Sequence, residues 1–535
     1  MSPSDLEAPA PDGAHVTDVR SLRHGFSGRL ASAMAFTSIR PLVGFGGGAL
    51  LVSYAGLASW TALVALLLVL LVVAGVFGAL ASRWPLEGSV HAWTRQLLGP
   101  RWGVVAGWLY LWSYLLFLSS LAYFDTQRIF FLLGTTPPSH FAADVVSALL
   151  VLTATAMNVL SRRWLTRLLV VAVASSVVGC LAFSLALIVG HAQRPISALD
   201  DLGATSTESW LAGPFLVALA WAAAFAFRGF ELPSDVAEEI DEPRRAVPRA
   251  MLWALLVGGL LTILSAVAIS LSALAGPGIS ADLANNPYAA SVGSTVEAAL
   301  GAGAAKLLAL LAVIATFAAL SVAQLATSRT VWTMARDREV PGHRRLVRLT
   351  ATSRTPRNAL VAVAIVAAIL PFLIGNQVAY ILQGASVAPL MFAFLLPVVG
   401  LLIAMARRTW QPGQFGLGRA TVPAAVLAAA ALVGLGINST WPRAQLYGSG
   451  SSQWTPTIIL VALVVSALAL MAWAFRDGGI HVRNHGHVDR DLHERILLAH
   501  TGTCSLCHRT LAKGEEALWN PEAHVTLCIA CDTTE

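Results

Sequence analysis

The chain has 535 residues, of which 56% are hydrophobic and 12% charged, and its formal net charge is +6. Several apolar runs exceed the ~18 residues that cross about 30 Å of hydrocarbon, which excludes a water-soluble globular protein and defines an all-α polytopic membrane protein. The positive balance sits in arginine clusters between those runs, a topology signal rather than a nucleic-acid footprint, so the lipid bilayer is the expected partner and no nucleic acid is.

The opening stretch MSPSDLEAPAPDGAHVTDVR is polar and acidic and lacks the apolar core of a cleaved signal peptide. Residues 1–29 therefore read as a disordered cytoplasmic tail, and residues 30–476 as the transmembrane domain. The first span covers about Leu30–Leu57 and carries Gly44-Phe45-Gly46-Gly47-Gly48 after Pro41. Four glycines in five residues are poor helix material. They fit an unwound segment where backbone meets ligand, with close helix packing as the alternative.

The second span, about Trp60–Ala81, leads into Ser82-Arg83-Trp84-Pro85-Leu86-Glu87-Gly88-Ser89. The third covers about Trp102–Phe124 and is followed by Asp125 and Arg128, read as a polar helix end, with an external gate as the alternative. The fourth and fifth cover about Ala142–Leu160 and Leu168–Val189; Cys180 in the fifth reads as a packing residue.

The sixth span begins as an apolar run at Phe215. It is interrupted at Arg228-Gly229-Phe230-Glu231-Leu232-Pro233 and ends in Glu238-Glu239-Ile240-Asp241-Glu242-Pro243-Arg244-Arg245. Charge and irregular backbone at membrane depth belong inside protein or along a cavity, not against lipid. The seventh and eighth spans, about Leu252–Ala275 and Ala304–Val331, flank a lid-like loop, Gly276–Gly301. Spans nine to twelve cover about Ala359–Ile374, Val378–Met405, Val422–Ile437 and Pro456–Phe475. Asn438-Ser439-Thr440 matches a glycosylation sequon of the kind that recurs by chance.

Twelve spans with arginine-rich loops after every second one place both termini in the cytoplasm. Spans one and six are both interrupted and lie five apart, hence in opposite orientation. That is what a LeuT-like 5+5 inverted repeat with broken helices 1 and 6 requires.

Three motifs carry a resemblance. Gly229-Phe230-Glu231, then Glu238-Glu239, then Pro243-Arg244-Arg245; the segment Ser82–Ser89; and Ala335-Arg336-Asp337 with Thr355-Pro356-Arg357-Asn358-Ala359 together resemble the amino acid–polyamine–organocation permeases over roughly Arg20–Phe475. Glu87 and His91 depart from the common Ala and Tyr of that family. The resemblance implies an amino acid held between Gly44, Gly46, Gly47 and Gly48 on one side and Phe227, Arg228, Gly229 and Glu231 on the other. Free N–H groups of one half-helix would take its carboxylate and free carbonyls of another its ammonium.

Arg228 could bind a substrate carboxylate or replace a coupling cation; the bland alternative is a pair with Glu231 or a neighbouring helix. Either way it disfavours strongly cationic substrates. Glu231 is a candidate proton carrier, with capping of the second half-helix preferred. Asp235, Glu238 and Glu239 are expected to cap and pair near the arginine-rich loops as an inner gate.

Residues 477–500 are rich in His, Arg and Asp and read as a solvated linker ending in a short helix; a histidine metal site is the lesser option. Residues 501–535 read as a zinc-ribbon-like module. Cys504-Ser505-Leu506-Cys507 and Cys528-Ile529-Ala530-Cys531, 20 residues apart, have the spacing of a four-thiolate structural zinc site, with redox disulfides as the alternative.

The expected function is a secondary active amino acid permease of the cytoplasmic membrane, not an enzyme. It would move neutral or acidic amino acids by proton coupling or exchange against a counter-substrate. A cytoplasmic protein is the candidate partner of the tail. The alternative is a non-transporting amino acid sensor that signals through the zinc module.

Overall fold

The computed structural model describes residues 25–528 apart from 161, 203–206, 273–294, 351–354, 374–377, 477–493, 498–501, 505–508, 513 and 521–524. The N-terminal tail up to residue 24, most of the expected lid, most of the linker, and Cys507 and Cys531 lie outside the described residues. The membrane body, Leu22–Ala472, and the C-terminal unit are compact separately.

The body comprises α1 (Gly28–Ile39), α2 (Val43–Ala55), α3 (Trp60–Arg83), α4 (Ser89–Leu98), α5 (Pro100–Leu132), α6 (His140–Leu160), α7 (Arg162–Leu185), α8 (Pro214–Phe225), α9 (Leu232–Asp235), α10 (Pro243–Ser272), α11 (Ala302–Arg336), α12 (Arg357–Ile369), α13 (Val378–Ala385), α14 (Val387–Ala406), α15 (Thr421–Thr440) and α16 (Thr455–Phe475). Among the described residues, ten helical stretches are long and apolar enough to cross a membrane, and two shorter apolar ones are Ser209–Phe225 and Arg357–Leu373. α3 and α11 outrun their apolar cores and end on Arg83 and Arg336, where a basic side chain meets the negative end of the helix dipole. Leu68, Val178, Trp253 and Val465 are exposed on the outside, as lipid contact requires, while the interior is lined with alanine, glycine and aromatic rings.

The first span breaks earlier than its glycines suggest. Arg40 takes a left-handed conformation (φ 56°, ψ 61°) and ends α1; Pro41 follows, and the chain re-enters a helix at Val43. The residue before a proline is driven out of the right-handed helical region, which fixes the break at Arg40–Leu42. The expected unwinding at Gly44–Gly48 is therefore corrected: all of these glycines are helical and buried in α2. A Cβ at Gly44 would lie 2.7 Å from the Thr262 carbonyl oxygen, and one at Gly48 2.7 Å from the Ala266 Cα. The glycines, four residues apart, let α2 lie backbone to backbone on α10, the small-residue packing by which membrane helices associate.

The sixth span breaks as expected. Ala226 is extended, Phe227 and Gly229 have φ of 60° and 82°, and the helix resumes for one turn at Leu232, with Pro233 near its start. Gly229 is needed twice over: its φ is positive, and a Cβ there would stand 2.6 Å from Ser38 Cβ of α1.

Asp125 and Arg128 do not end a helix. α5 runs on to Leu132, and the two form a buried pair at 2.7 Å, with Arg128 also donating to Thr316 at 3.2 Å. Cys180 is buried in α7. Asn438 of the sequon donates to the Leu216 carbonyl and accepts from Arg443, so its amide serves packing.

The C-terminal unit contains β1 (Glu494–Leu497), β2 (Gly502–Thr503), β3 (Thr510–Leu511), β4 (Glu516–Asn520) and β5 (Val525–Cys528). An antiparallel sheet has the order β1-β4-β5, with Arg495 opposite Leu518 and Ala517 opposite Cys528; β2 and β3 pair with Gly502 opposite Leu511. Glu494–Leu497 thus belongs to the sheet, where a linker ending in a short helix was expected.

Candidate substrate and gating site

The two breaks face each other through arginines. Arg40 is buried and donates from Nη2 to the Phe225 carbonyl at 2.9 Å, and from Nε to the Ser38 carbonyl at 3.2 Å. The Ala224 carbonyl accepts from Gln383 Nε2 at 3.0 Å. The last carbonyls of α8 are therefore occupied by a guanidinium and an amide, which corrects the expectation that they stand open for a substrate ammonium. The second half-helix, α9, is a single turn whose Leu232 and Ser234 N–H groups bond within the break, so it offers no ready-made anion site.

The positive charge comes from side chains instead. Arg228 is buried; its Nη1 donates to Ser386 Oγ and its Nη2 to Ser113 Oγ at 2.9 Å, while among the described residues Nε has no partner. It does not pair with Glu231, so of the two bland alternatives the neighbouring-helix one holds. The Phe117 ring of α5 lies 4.2 Å from the Arg228 guanidinium and 4.8 Å from that of Arg40. Buried guanidiniums tolerate a ring face because the ring quadrupole attracts cations.

Glu231 stands at the N-cap position of α9, yet its side chain makes no capping bond. Tyr114 donates to its Oε1, and Tyr110 lies 3.4 Å from the same atom; Oε2 finds no partner among the described residues. Tyr110 donates to Asp235 Oδ2 at 2.5 Å, and Ser89 of α4 to Asp235 Oδ1 at 2.6 Å. The preferred capping role of Glu231 is thus corrected. Two tyrosines on one face of α5 link it to Asp235, and Asp235 links to the start of α4. Asp235 joins this chain rather than the ion pairs that Glu238 and Glu239 make with α11.

Of the remaining site residues, Gly47 sits where a Cβ would come 2.3 Å from the Phe225 ring, and its carbonyl accepts from Trp221 Nε1 at 3.3 Å. Gly46 and Phe227 are buried, and Gly229 lies against α1. Trp221 also contacts the rings of Tyr54, Phe225 and Tyr380, forming an aromatic layer on the side of the breaks away from α4. Beyond it, at the far end of α5, a cavity of about 310 Å³ is lined by Gln127, Phe130, Phe131, Glu297 and Lys306.

The opposite, arginine-rich face is closed by charge pairs. Arg329 donates from Nε and Nη2 to Glu239 Oε1 at 2.9 and 2.6 Å, with both side chains buried. His91 Nε2 and Glu339 Oε2 are 2.6 Å apart; Arg95 Nη1 pairs with Glu339 Oε1 and lies 3.3 Å from Asp337. His91, Asp337 and Glu339 converge as metal ligands do, but Arg95 already supplies the cation there. Arg336 stands 4.0 Å from Glu238, and Gly25 and Phe26 donate their N–H groups to the Glu239 carbonyl. Glu238 and Glu239 thus pair as expected, though their arginines come from α11 and not from a loop.

Arg40, Tyr110, Ser113, Tyr114, Phe117 and Ser386 are missed by the sequence reading. The signals were an Arg-Pro pair inside an apolar run and the 110–114–117 spacing, which lines one helical face.

A bundle of apolar helices with two interrupted spans, buried arginines at the breaks and charge pairs closing one face defines a multi-pass membrane protein of the carrier type. The chain belongs to the amino acid permease family, which it matches over residues 26–472. It is 30% identical over 299 residues to an uncharacterized transporter of Mycobacterium tuberculosis, covering 54% of this chain and 60% of that one. It is 26% identical over 204 residues to the low-affinity putrescine importer PlaP of Escherichia coli, covering 37% and 42%. It is 30% identical over 177 residues to the Asc-type amino acid transporter 1 of Mus musculus, covering 31% and 32%. The chain thus spans 60% or less of the length of these relatives.

Proposed function

We propose that the protein is a secondary active permease for neutral or acidic amino acids, with the arginine-rich face and both termini cytoplasmic. Spans one to ten would form the LeuT-like 5+5 inverted repeat, and a helix bundle would rock about the paired breaks. The observation that carries the substrate class is the placement of Arg40 and Arg228 at the two breaks, both against Phe117. A carboxylate can accept from a guanidinium there in charge-assisted hydrogen bonds. A diamine, the substrate in the name of the putrescine importer, would meet two like charges, and the Ala224 and Phe225 carbonyls at the end of α8 are already taken by Gln383 and Arg40. Proton coupling or exchange against a counter-substrate is the preferred energy source.

Uptake of a radiolabelled amino acid panel, with putrescine and lysine included, into proteoliposomes under an imposed proton or sodium gradient tests this. Concentrative uptake of one neutral or acidic class supports it. Uptake confined to putrescine or lysine sinks the substrate class. Binding without any flux or exchange sinks the permease and leaves the sensor.

The tail is proposed to hold a structural zinc ion through Cys504, Cys507, Cys528 and Cys531. Cys504 is buried directly after β2, and its N–H donates to the Arg509 carbonyl at 2.8 Å; β5 ends at Cys528. A CxxC pair suits a knuckle that presents two thiolates to one tetrahedral ion. A cytoplasmic protein remains the candidate partner of this module.

A further inference from the structure

Glu87 lies in the loop between α3 and α4, outside the spanning helices, and is completely buried. Its backbone N–H donates to Glu238 Oε1 at 3.1 Å, yet neither of its own carboxyl oxygens has a hydrogen-bond partner among the described residues. The charged groups that face it are Glu239 and Glu238 from the segment after α9, and Arg329 and Arg336 from α11. Arg329 is already committed to Glu239, and Arg336 approaches Glu238. On the adjoining α4, Ser89 is committed to Asp235 and His91 to Glu339.

An ionised carboxylate in this place would have no donor, two carboxylate neighbours, and arginines whose pairing it could gain only by breaking the gate. Next to it in sequence, Gly88 N–H donates to the Asp235 carbonyl at 3.4 Å and Ser89 to its carboxylate, so Glu87 adjoins the chain Glu231–Tyr114/Tyr110–Asp235–Ser89 that begins at the break of span six, while its own carboxyl group stands outside that chain.

We propose that Glu87 is a proton-binding site of the transport cycle: its carboxylic acid holds a proton while the arginine-rich face is closed and releases it to that side when the face opens. On opening, the Oε–H bond breaks and the proton passes to water. The carboxylate left behind gains one negative charge and competes with Glu239 for Arg329. The proposal rests on the permease reading and names where its coupling proton binds. Burial, followed by repulsion from Glu239, pushes the Glu87 carboxyl well above the ordinary carboxylate range, in the direction the geometry demands. The folded, closed protein therefore binds this proton more tightly than the unfolded chain does. The stabilisation is complete at acid pH and declines as pH rises from the ordinary carboxylate range through the raised value.

The test uses the full chain in lipid nanodiscs, with protons as the probe. Infrared spectra recorded between pH 5 and 9 should show a protonated carboxylic acid band that persists at neutral pH, is absent from Glu87→Gln and shifts in Glu87→Asp. Spectra of Glu87→Gln and wild type that superimpose overturn the proposal, and Glu87→Asp decides if the glutamine variant does not fold. In proteoliposomes with an imposed pH gradient and the amino acid panel, Glu87→Gln should lose proton-driven accumulation. Accumulation equal to wild type overturns the site and leaves the permease standing. A Glu87 band in a wild-type protein that shows no flux supports the proton site and overturns the permease reading instead.

Discussion

Replacing Arg228 by Gln removes the charge at the break of span six; the amide ends where Arg228 has Nε, so the contacts of Nη1 and Nη2 to Ser386 and Ser113 are lost. The loss to stability is only partial because opposing effects meet. Hydrogen bonds from a charged donor contribute about 1.5–3 kcal/mol each, and the variant gives up two of them. The Phe117 contact contributes about 2 kcal/mol when desolvated, and several kcal/mol of desolvation penalty for a buried ion disappears with the charge. Ser113 and Ser386 also keep acceptors of their own, the Ser386 and Gln383 carbonyls, so no hydroxyl proton is stranded. Substrate binding has no such compensation. Truncating one partner of a buried charge pair costs about 2–5 kcal/mol, and at about 1.4 kcal/mol per decade this is roughly 30-fold to 4,000-fold in affinity. Scintillation proximity binding of the transported amino acid, beside its amide analogue, checks the carboxylate specifically. The acid should weaken in Arg228→Gln while the amide, already poor, does not. Equal affinities of wild type and variant for the acid would refute the role assigned to Arg228.

Gly48→Ala should lower Tm, because its Cβ would stand 2.7 Å from the Ala266 Cα and separating α2 from α10 costs about 1–3 kcal/mol; an unchanged Tm with weakened substrate binding would restore the unwound reading of the glycines. Arg329→Ala leaves Glu239 buried without its cation, a loss of about 3–5 kcal/mol, and should appear as a lower Tm and faster amide exchange in 237–242; wild-type exchange there would show that the pair does not hold the gate. Elemental analysis of the purified protein should give one zinc per chain, and Cys504→Ser should lose it; full zinc content in that variant removes Cys504 from the ligand set.

The sequence by itself determined the class and the order of the spans. Hydropathy and arginine spacing are local, and a bilayer admits few solutions for a long apolar run. The break in span six was equally legible, since Gly229 and Pro233 punctuate it whatever they pack against. The glycines of span one were not. Gly44 and Gly48 have the same composition whether they unwind or pack, and only the distance to Thr262 and Ala266 shows which. Likewise Glu231 carried the residue type of a cap, but Tyr110 and Tyr114, more than a hundred positions away, claim its carboxyl group first. Arg40 reaching Phe225, and Glu87 sealed among Glu239, Arg329 and Arg336, are decided by which helices meet at the centre and at the arginine-rich face. Charge, burial and partner are properties of a place, and the tertiary structure alone creates those places.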